Sequence, residues 1–226
     1  MERQNFYQIP DSIKRVLVVG GGQAAMQIID ILWHDPTCQV VGCLDDDSQL
    51  HGQEIFGVPI LGGSDLLEKL WREKFFTAAI VGVGINLKAR AALYQRLKGL
   101  GIPLVNAIDP TVRLNRQATL GEGIVLCSFV HVGVCAHIGD NSFIGAHSSI
   151  DHHCQIGSTV FMGPGCLLSG TVRVGSGTLF GSGVLVQLGL TIGEGCRIAS
   201  GVTVIKDLPA HRGLRNALHQ EIRVLE

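Results

Sequence analysis

One apolar position recurs at every sixth residue through the second half of the chain. From Leu114 it falls on Leu120, Leu126, Val132, Ile138, Ile144, Ile150 and Ile156. It continues through Met162, Leu168, Val174, Phe180, Val186, Ile192, Ile198 and Val204, sixteen hits without a slip. The next residue is glycine nine times, and the residue two places earlier is small or apolar, Cys154, Cys166 and Cys196 among them. A period of six suits neither a 3.6-residue helix nor a simple alternating strand. It is the hexapeptide repeat of a left-handed parallel β-helix, in which each hexad is a short strand and a turn and three hexads close a triangular coil. Sixteen hexads make about five coils. The aliphatic side chain points to the axis, the second inward position must be small, and the glycine is expected at the corner where the backbone turns.

Outward positions eighteen residues apart stack into rows. Val125, Phe143, Phe161 and Leu179 form an apolar row, His131, Ser149, Leu167 and Leu185 a mixed one, and His137, Gln155, Arg173 and Thr191 a polar one. Two phenylalanines in one outward row do not suit a solvated face. The Val125, Phe143, Phe161 and Leu179 row therefore predicts a homotrimer joined through β-helix faces, with sites at the seams.

The first half follows a different pattern. VLVVGGG (16–22) is an apolar strand ending in glycines, followed by a helix over 24–34. CQVVGCLDDD (38–47) is a strand ending in acids, and GVPILGG (57–63) a shorter one. A helix over 64–74 starts at Ser64 as N-cap, a buried strand follows at 78–84, then a helix over 85–101 with a glycine stop and a last strand at 102–108. Alternating strands and helices predict an α/β, Rossmann-like parallel sheet. The expected organisation is a Rossmann-like domain over 1–107, an all-β left-handed β-helix over 108–207 and a C-terminal tail over 208–226.

Composition narrows the possible functions. Of 226 residues 46% are hydrophobic, 16% charged and 30 are glycine, with 18 Lys and Arg against 19 Asp and Glu. Disorder goes with low hydrophobicity and high charge, and a basic nucleic-acid surface needs an excess of cations, so neither fits. No apolar run reaches a membrane span, the N-terminus lacks a leader's apolar stretch, and seven cysteines without a C-x-x-C pair read as core filling in a reducing compartment. The expectation is a cytoplasmic protein with no nucleic-acid partner.

Two places can carry chemistry. Gly20, Gly21 and Gly22 lie between a strand and a helix, where a phosphate can approach the backbone and the positive helix end. Asp45, Asp46 and Asp47 close the second strand, and Gly84 with Asn86 closes the third main strand on the same edge, where open parallel sheets bind ligands. GGGQAA is not a full dinucleotide fingerprint, which favours a nucleotide or nucleotide-sugar over NAD. In the coils, His152 and His153 follow the inward Ile150, and Gly170 lies one coil on. That glycine is expected to leave an open gap beside His152, where a histidine can act as general base. His131, His137 and His147 have no such neighbour and are expected on the surface. Lys206, Arg212 and Arg215 follow the last coil and could meet phosphates.

A Rossmann-like domain joined near D-P-T to a hexapeptide β-helix carrying IDHHCQIG resembles the sugar O/N-acyltransferases related to bacillosamine and perosamine N-acetyltransferases and to sialic-acid O-acetyltransferases. The resemblance covers roughly residues 14–207. It implies acetyl-CoA as co-substrate, no metal, a nucleotide-linked amino sugar as acceptor, N-acetylation of a 4-amino-sugar, and a place in bacterial-type surface glycan biosynthesis. It gives His152 the role of base and His153 the orienting position that the family fills with an acid. Gly20, Gly21, Gly22, Asp45, Asp46 and Gly84 become substrate contacts, and Phe161, Gly170, Ser182 and Ser200 acetyl-CoA contacts. The chain departs from the family at His153, at Phe161 in place of a second histidine, at Gln23 after the glycines, and near the C-terminus, where RGLRNALHQ replaces G-x-P-A. O-acetylation of a sialic-type sugar and a non-catalytic scaffold remain alternatives. A three-histidine zinc site of carbonic-anhydrase type lacks its third ligand, because Thr111 and Arg116 lie two coils before His147 and His152.

Overall fold

A computed structural model describes residues 13–216. The polar stretch at residues 1–12 and the end of the expected tail, 217–226, lie outside the described residues. The first domain is a sheet in the order β3-β4-β2-β1-β5. Its strands are β1 (Lys14–Val19), β2 (Cys38–Leu44), β3 (Glu54–Ile55), β4 (Val58–Gly62) and β5 (Ala78–Val81). All neighbours pair in parallel except β3 with β4. Helices α1 (Gln23–Trp33), α2 (Leu67–Arg72) and α3 (Leu87–Gly99) cover it. Residues 16–19 are buried on both faces of β1, which is why that strand reads as an unbroken apolar run.

Three local expectations change. Ser64 does not cap α2: residues 64–66 form a 3-10 turn, and the Ser64 N–H donates to Asp46 Oδ1 at 2.7 Å. The expected strand at 102–108 is divided. Leu104 makes one bridge to Ala79 in the first sheet, whereas Ala107–Ile108 already pairs with Val125–Leu126 in the β-helix. The coils also exceed the sixteen hexads, because Gly213–Leu214 adds a strand beside Arg197–Ile198.

The β-helix has three flat faces of seven, six and five short parallel strands. The Phe143 face runs from Ala107–Ile108 to Gly213–Leu214. The Ser149 face runs from Arg113–Leu114 to Thr203–Val204, and the Gln155 face from Thr119–Leu120 to Thr191–Ile192. Every hexad aliphatic from Leu126 to Val204 is at most 4% exposed. The polar residues among the small inward positions bond to the stack itself. Ser142 and Ser148 hydroxyls donate to the carbonyls of Gly157 and Gly163, and the Cys154 thiol to Ser169 O at 3.2 Å. Buried polar groups persist where they are paired in this way.

The glycine after each aliphatic has a different cause from the one expected. The left-handed backbone falls two residues later, and there side-chain-bearing residues share it with glycines: Gln117, Phe129, Cys135, Asn141, His147, His153, Thr159 and Thr171 have φ between 56° and 60°. The glycine is needed for close approach. A Cβ on Gly139 would lie 2.7 Å from the backbone of Gly157 in the next coil, and such a contact has no flexible partner to move.

The apolar row also has a different partner from the one expected. Val125 and Phe143 are 0% and 4% exposed within the single chain, packed with α1 and the first sheet, and Phe161 joins at the edge with its ring centroid 5.4 Å from that of Phe143. The Val125, Phe143, Phe161 and Leu179 row is thus largely the seat of the chain's own N-terminal domain. The hexad period shows which side chains point outward and is silent on what covers them.

Candidate active site

Packing the first domain on the Phe143 face leaves a cleft of about 680 Å³ between them. One wall is the glycine turn, the start of α1 and its polar stripe Gln23, Gln27 and Asp30. The second is the end of β5 with Val83, Gly84, Ile85 and Asn86, and the third is the coil edge with Asp109, Cys127, Ser128, Gly145, Ala146, Phe161 and Pro164. Gly20, Gly22, Asp45 and Gly84, expected as substrate contacts, meet in one cavity; Gly21 is not in its lining, and Phe161, expected at acetyl-CoA, is. Gln27, Asp30, Asp109 and Cys127 were missed. The spacing of Gln23, Gln27 and Asp30 on an otherwise apolar helix was the available signal, since three- and four-residue steps share a face.

The helix end in this cleft is uncapped. Gly22 is the N-cap of α1, without a side-chain cap bond and without an acid in the first turn. A helix N-terminus with free N–H groups attracts anions, phosphate above all. The turn before it is braced: the Gly21 N–H donates to Asp45 Oδ2 at 2.6 Å, and the Asp47 N–H to Asp45 Oδ1 at 2.8 Å. Asp46 stands outside the cleft lining; bonds from Ser64, backbone first, hold its carboxyl below the usual range. Among the described residues the cleft is lined by Asp30, Asp45 and Asp109 and by no lysine, arginine or histidine. Any phosphate bound there by this chain alone rests on N–H groups. Burial, then the charge of Asp109, pushes the Cys127 thiol up to about 12, and its Sγ donates to Gln27 Oε1 at 3.5 Å. It is a protonated wall residue.

His152 lies elsewhere, on the edge between the Ser149 and Gln155 faces. It is exposed. Its Nδ1 is 3.2 Å from His153 Nδ1, and the two rings meet edge to face. Asp151 accepts the His152 backbone N–H at 2.7 Å. The gap expected over Gly170 is filled, because a Cβ there would lie 2.3 Å from His152 Nε2. Lacking a side chain, Gly170 is the surface on which the imidazole rests. Gly170→Ala should therefore push the ring aside while leaving the coil intact. We expect acetyl transfer to fall by about 10–100-fold, with the melting temperature nearly unchanged; calorimetry and a thiol-release assay on the same preparation check this.

Cys154, beside the histidines in sequence, is fully buried, and burial pushes its thiol up to about 11. Ser182 and Ser200 are exposed and bonded to each other, Ser182 N–H to Ser200 Oγ at 3.1 Å. They stand on the edge between the Phe143 and Ser149 faces with Ser128, Ala146 and Pro164 of the cleft. One chain thus holds its cleft and its histidine on two different edges, the whole Ser149 face apart. Among the described residues, no three His, Cys, Asp or Glu side chains are placed to share a metal ion, and no helix is long and apolar enough to cross a membrane.

A nucleotide-sized cleft beside a left-handed β-helix with an exposed edge histidine defines the class of hexapeptide-repeat acyltransferases. The profile of the PglD N-terminal domain matches residues 15–97, and that of the bacterial transferase hexapeptide (six repeats) matches 135–170. A histidine-to-alanine variant of the GDP-perosamine N-acetyltransferase of Caulobacter crescentus, solved with CoA and GDP-perosamine, is 30% identical. The match covers 89% of this chain and 93% of that one, with a TM-score of 0.82. The acetyltransferase domain of PglB from Neisseria gonorrhoeae, solved with acetyl coenzyme A, is 25% identical over 89% of this chain and 95% of that one, with a TM-score of 0.82. The GDP-perosamine N-acetyltransferase of Escherichia coli O157:H7 is 28% identical over 119 residues, 53% of this chain and 52% of that protein. The match thus spans about half the length of that curated relative. The chain belongs to the perosamine and PglB-type family of sugar N-acetyltransferases.

Proposed function

We propose that the protein transfers an acetyl group from acetyl-CoA to the amine of a nucleotide-linked 4-amino-sugar. The observation that carries this is the cleft between the uncapped start of α1 and the β-helix edge. It has the size and the N–H donors for a nucleoside diphosphate and opens beside Ser128, Ala146 and Pro164, toward the coil edge. The bound sugars of the relatives, GDP-perosamine with CoA, support the same assignment. Asp45 holds the turn that receives the phosphates, and Gly84 lets the sugar approach.

The chemistry is direct. The acceptor amine attacks the thioester carbonyl carbon, the C–N bond forms and the C–S bond breaks. CoA leaves as the thiolate and the amine's proton passes to His152. Nδ1 of His152 faces His153, which leaves Nε2 as the nitrogen that takes the proton. With Cys127 and Cys154 protonated and walled in, no acyl-enzyme step is needed.

The site closes only in an oligomer. Ala146 and His152 are six residues apart and so share one coil level on opposite edges of the Ser149 face. That face carries Leu167, 47% exposed, and Leu185, whereas the Gln155 face is polar outward and the Phe143 face is largely covered. Three chains packed through their Ser149 faces bring the His152 edge of each against the cleft edge of the next. Incubating the protein with acetyl-CoA and a panel of nucleotide-linked sugars tests the reading. We expect thiol release with 4-amino-sugars and none with their 4-hydroxyl counterparts; release only with hydroxyl sugars would overturn it.

A further inference from the structure

Arg90 is the only charged side chain among the described residues that is fully buried, at 0% exposure. It has no carboxylate partner. Its guanidinium donates instead to four backbone carbonyls: Nη1 to Val83 O at 2.6 Å and Val81 O at 3.1 Å, Nε to Asn141 O at 2.7 Å, and Nη2 to Gly123 O at 3.3 Å. Two of these lie at and just past the end of β5, and two at one corner of the β-helix in successive coils. The guanidinium also lies 5.7 Å from the ring centroid of Phe143, and the Asn141 amide returns a bond to Arg90 O. An ordinary domain contact is made more cheaply with apolar side chains, because burying a charge against neutral acceptors is unfavourable. The fork geometry of arginine does what an apolar side chain cannot, fixing several carbonyls at set angles.

The carbonyl it holds most tightly belongs to Val83, in the cleft wall. Next to it, Gly82 packs so closely on the phosphate-facing turn that a Cβ would lie 2.3 Å from Gly20 O, and Gly84 faces Ala24 and Phe161 at ordinary contact distance. We propose that Arg90 is a positioning residue that sets the width of the cleft, by locking the 82–86 wall to the β-helix at the spacing a nucleotide-sugar requires. The role rests on the reading of the cleft as the nucleotide-sugar site. Of the expected CoA contacts, Ser182 and Ser200 lie one and two coils beyond Pro164 and outside the reach of Arg90, whereas Phe161 belongs to the nucleotide-sugar cleft itself.

The test compares Arg90→Lys, Asn141→Gly and Tyr94→Phe. Tyr94 bonds Asp140 and Glu122 across the same domain junction without touching the cleft wall, so it reports loss of junction stability alone. Glycine suits the left-handed backbone of Asn141, which makes that variant the one to read if Arg90→Lys does not fold. Arg90→Lys should raise KM for the nucleotide-sugar at least 10-fold with KM for acetyl-CoA unchanged. Asn141→Gly should raise it about 3-fold in the same pattern, and Tyr94→Phe should raise neither. Amide exchange of peptides spanning 82–86 should quicken in the first two variants only, a readout that needs no substrate and separates this role from the assignment of the cleft. Equal changes in both KM values, or exchange at 82–86 that matches Tyr94→Phe, would overturn the proposal.

Discussion

His152→Ala is expected to lower acetyl transfer by about 10²–10⁴-fold, the usual contribution of a positioned general base, while folding and assembly persist. The side chain is exposed, it bonds His153 alone among the described residues, and its ring rests on a glycine rather than in the core. The backbone bond that keeps this edge in register, from Thr171 N–H to His152 O at 2.8 Å, survives the change. Acetyl-CoA and nucleotide-sugar should still bind, because neither the cleft nor the serine edge includes the imidazole. The effect should therefore fall on kcat and leave both KM values nearly alone. A purified variant that kept full thiol release would remove His152 from the mechanism and return the site to a scaffold reading.

The coil was legible because one side chain in six fills one axis; any slip would put a polar group there, so the period had to be strict. The glycine turn, Asp45 and Gly84 were legible for a similar reason, since a parallel sheet presents its strand ends on one edge. Legibility ended where two independently folded patterns meet. Nothing in the spacing of Val125 and Phe143 distinguishes a face covered by a second chain from one covered by residues 14–105 of the same chain. Arg90 was hidden by its setting: α3 has four buried residues among thirteen, and one of them is this charge, which a hydrophobic pattern reads as solvent-facing. Gly170 was recognised as exceptional, but sequence cannot tell a gap beside an imidazole from the surface on which it lies.

Leu167→Glu should break the proposed trimer into monomers and abolish turnover together. Leu167 is 47% exposed in the single chain, at the middle of the face that has Leu185 above it and the His131–Ser149 pair below, Nδ1 to Oγ 3.1 Å. In the proposed trimer a carboxylate there would meet its copies around the threefold axis, which costs several kcal/mol when desolvated without partners. Sedimentation should show the mass of one chain, and thiol release should fall at least as far as in His152→Ala, although each monomer keeps both its cleft and its histidine. Mixed assemblies decide why. Gly22→Asp places a carboxylate at the uncapped start of α1, where the backbone (φ −84°, ψ −163°) accepts a side chain. It should satisfy the free N–H groups and stabilise the helix by a few tenths of a kcal/mol, while excluding phosphate. His152→Ala and Gly22→Asp should each be nearly inactive alone. If every site takes its cleft from one chain and its base from the next, random trimers of the two regain about a quarter of wild-type activity. If cleft and base act within one chain, the mixture stays dead, because every chain lacks one of the two.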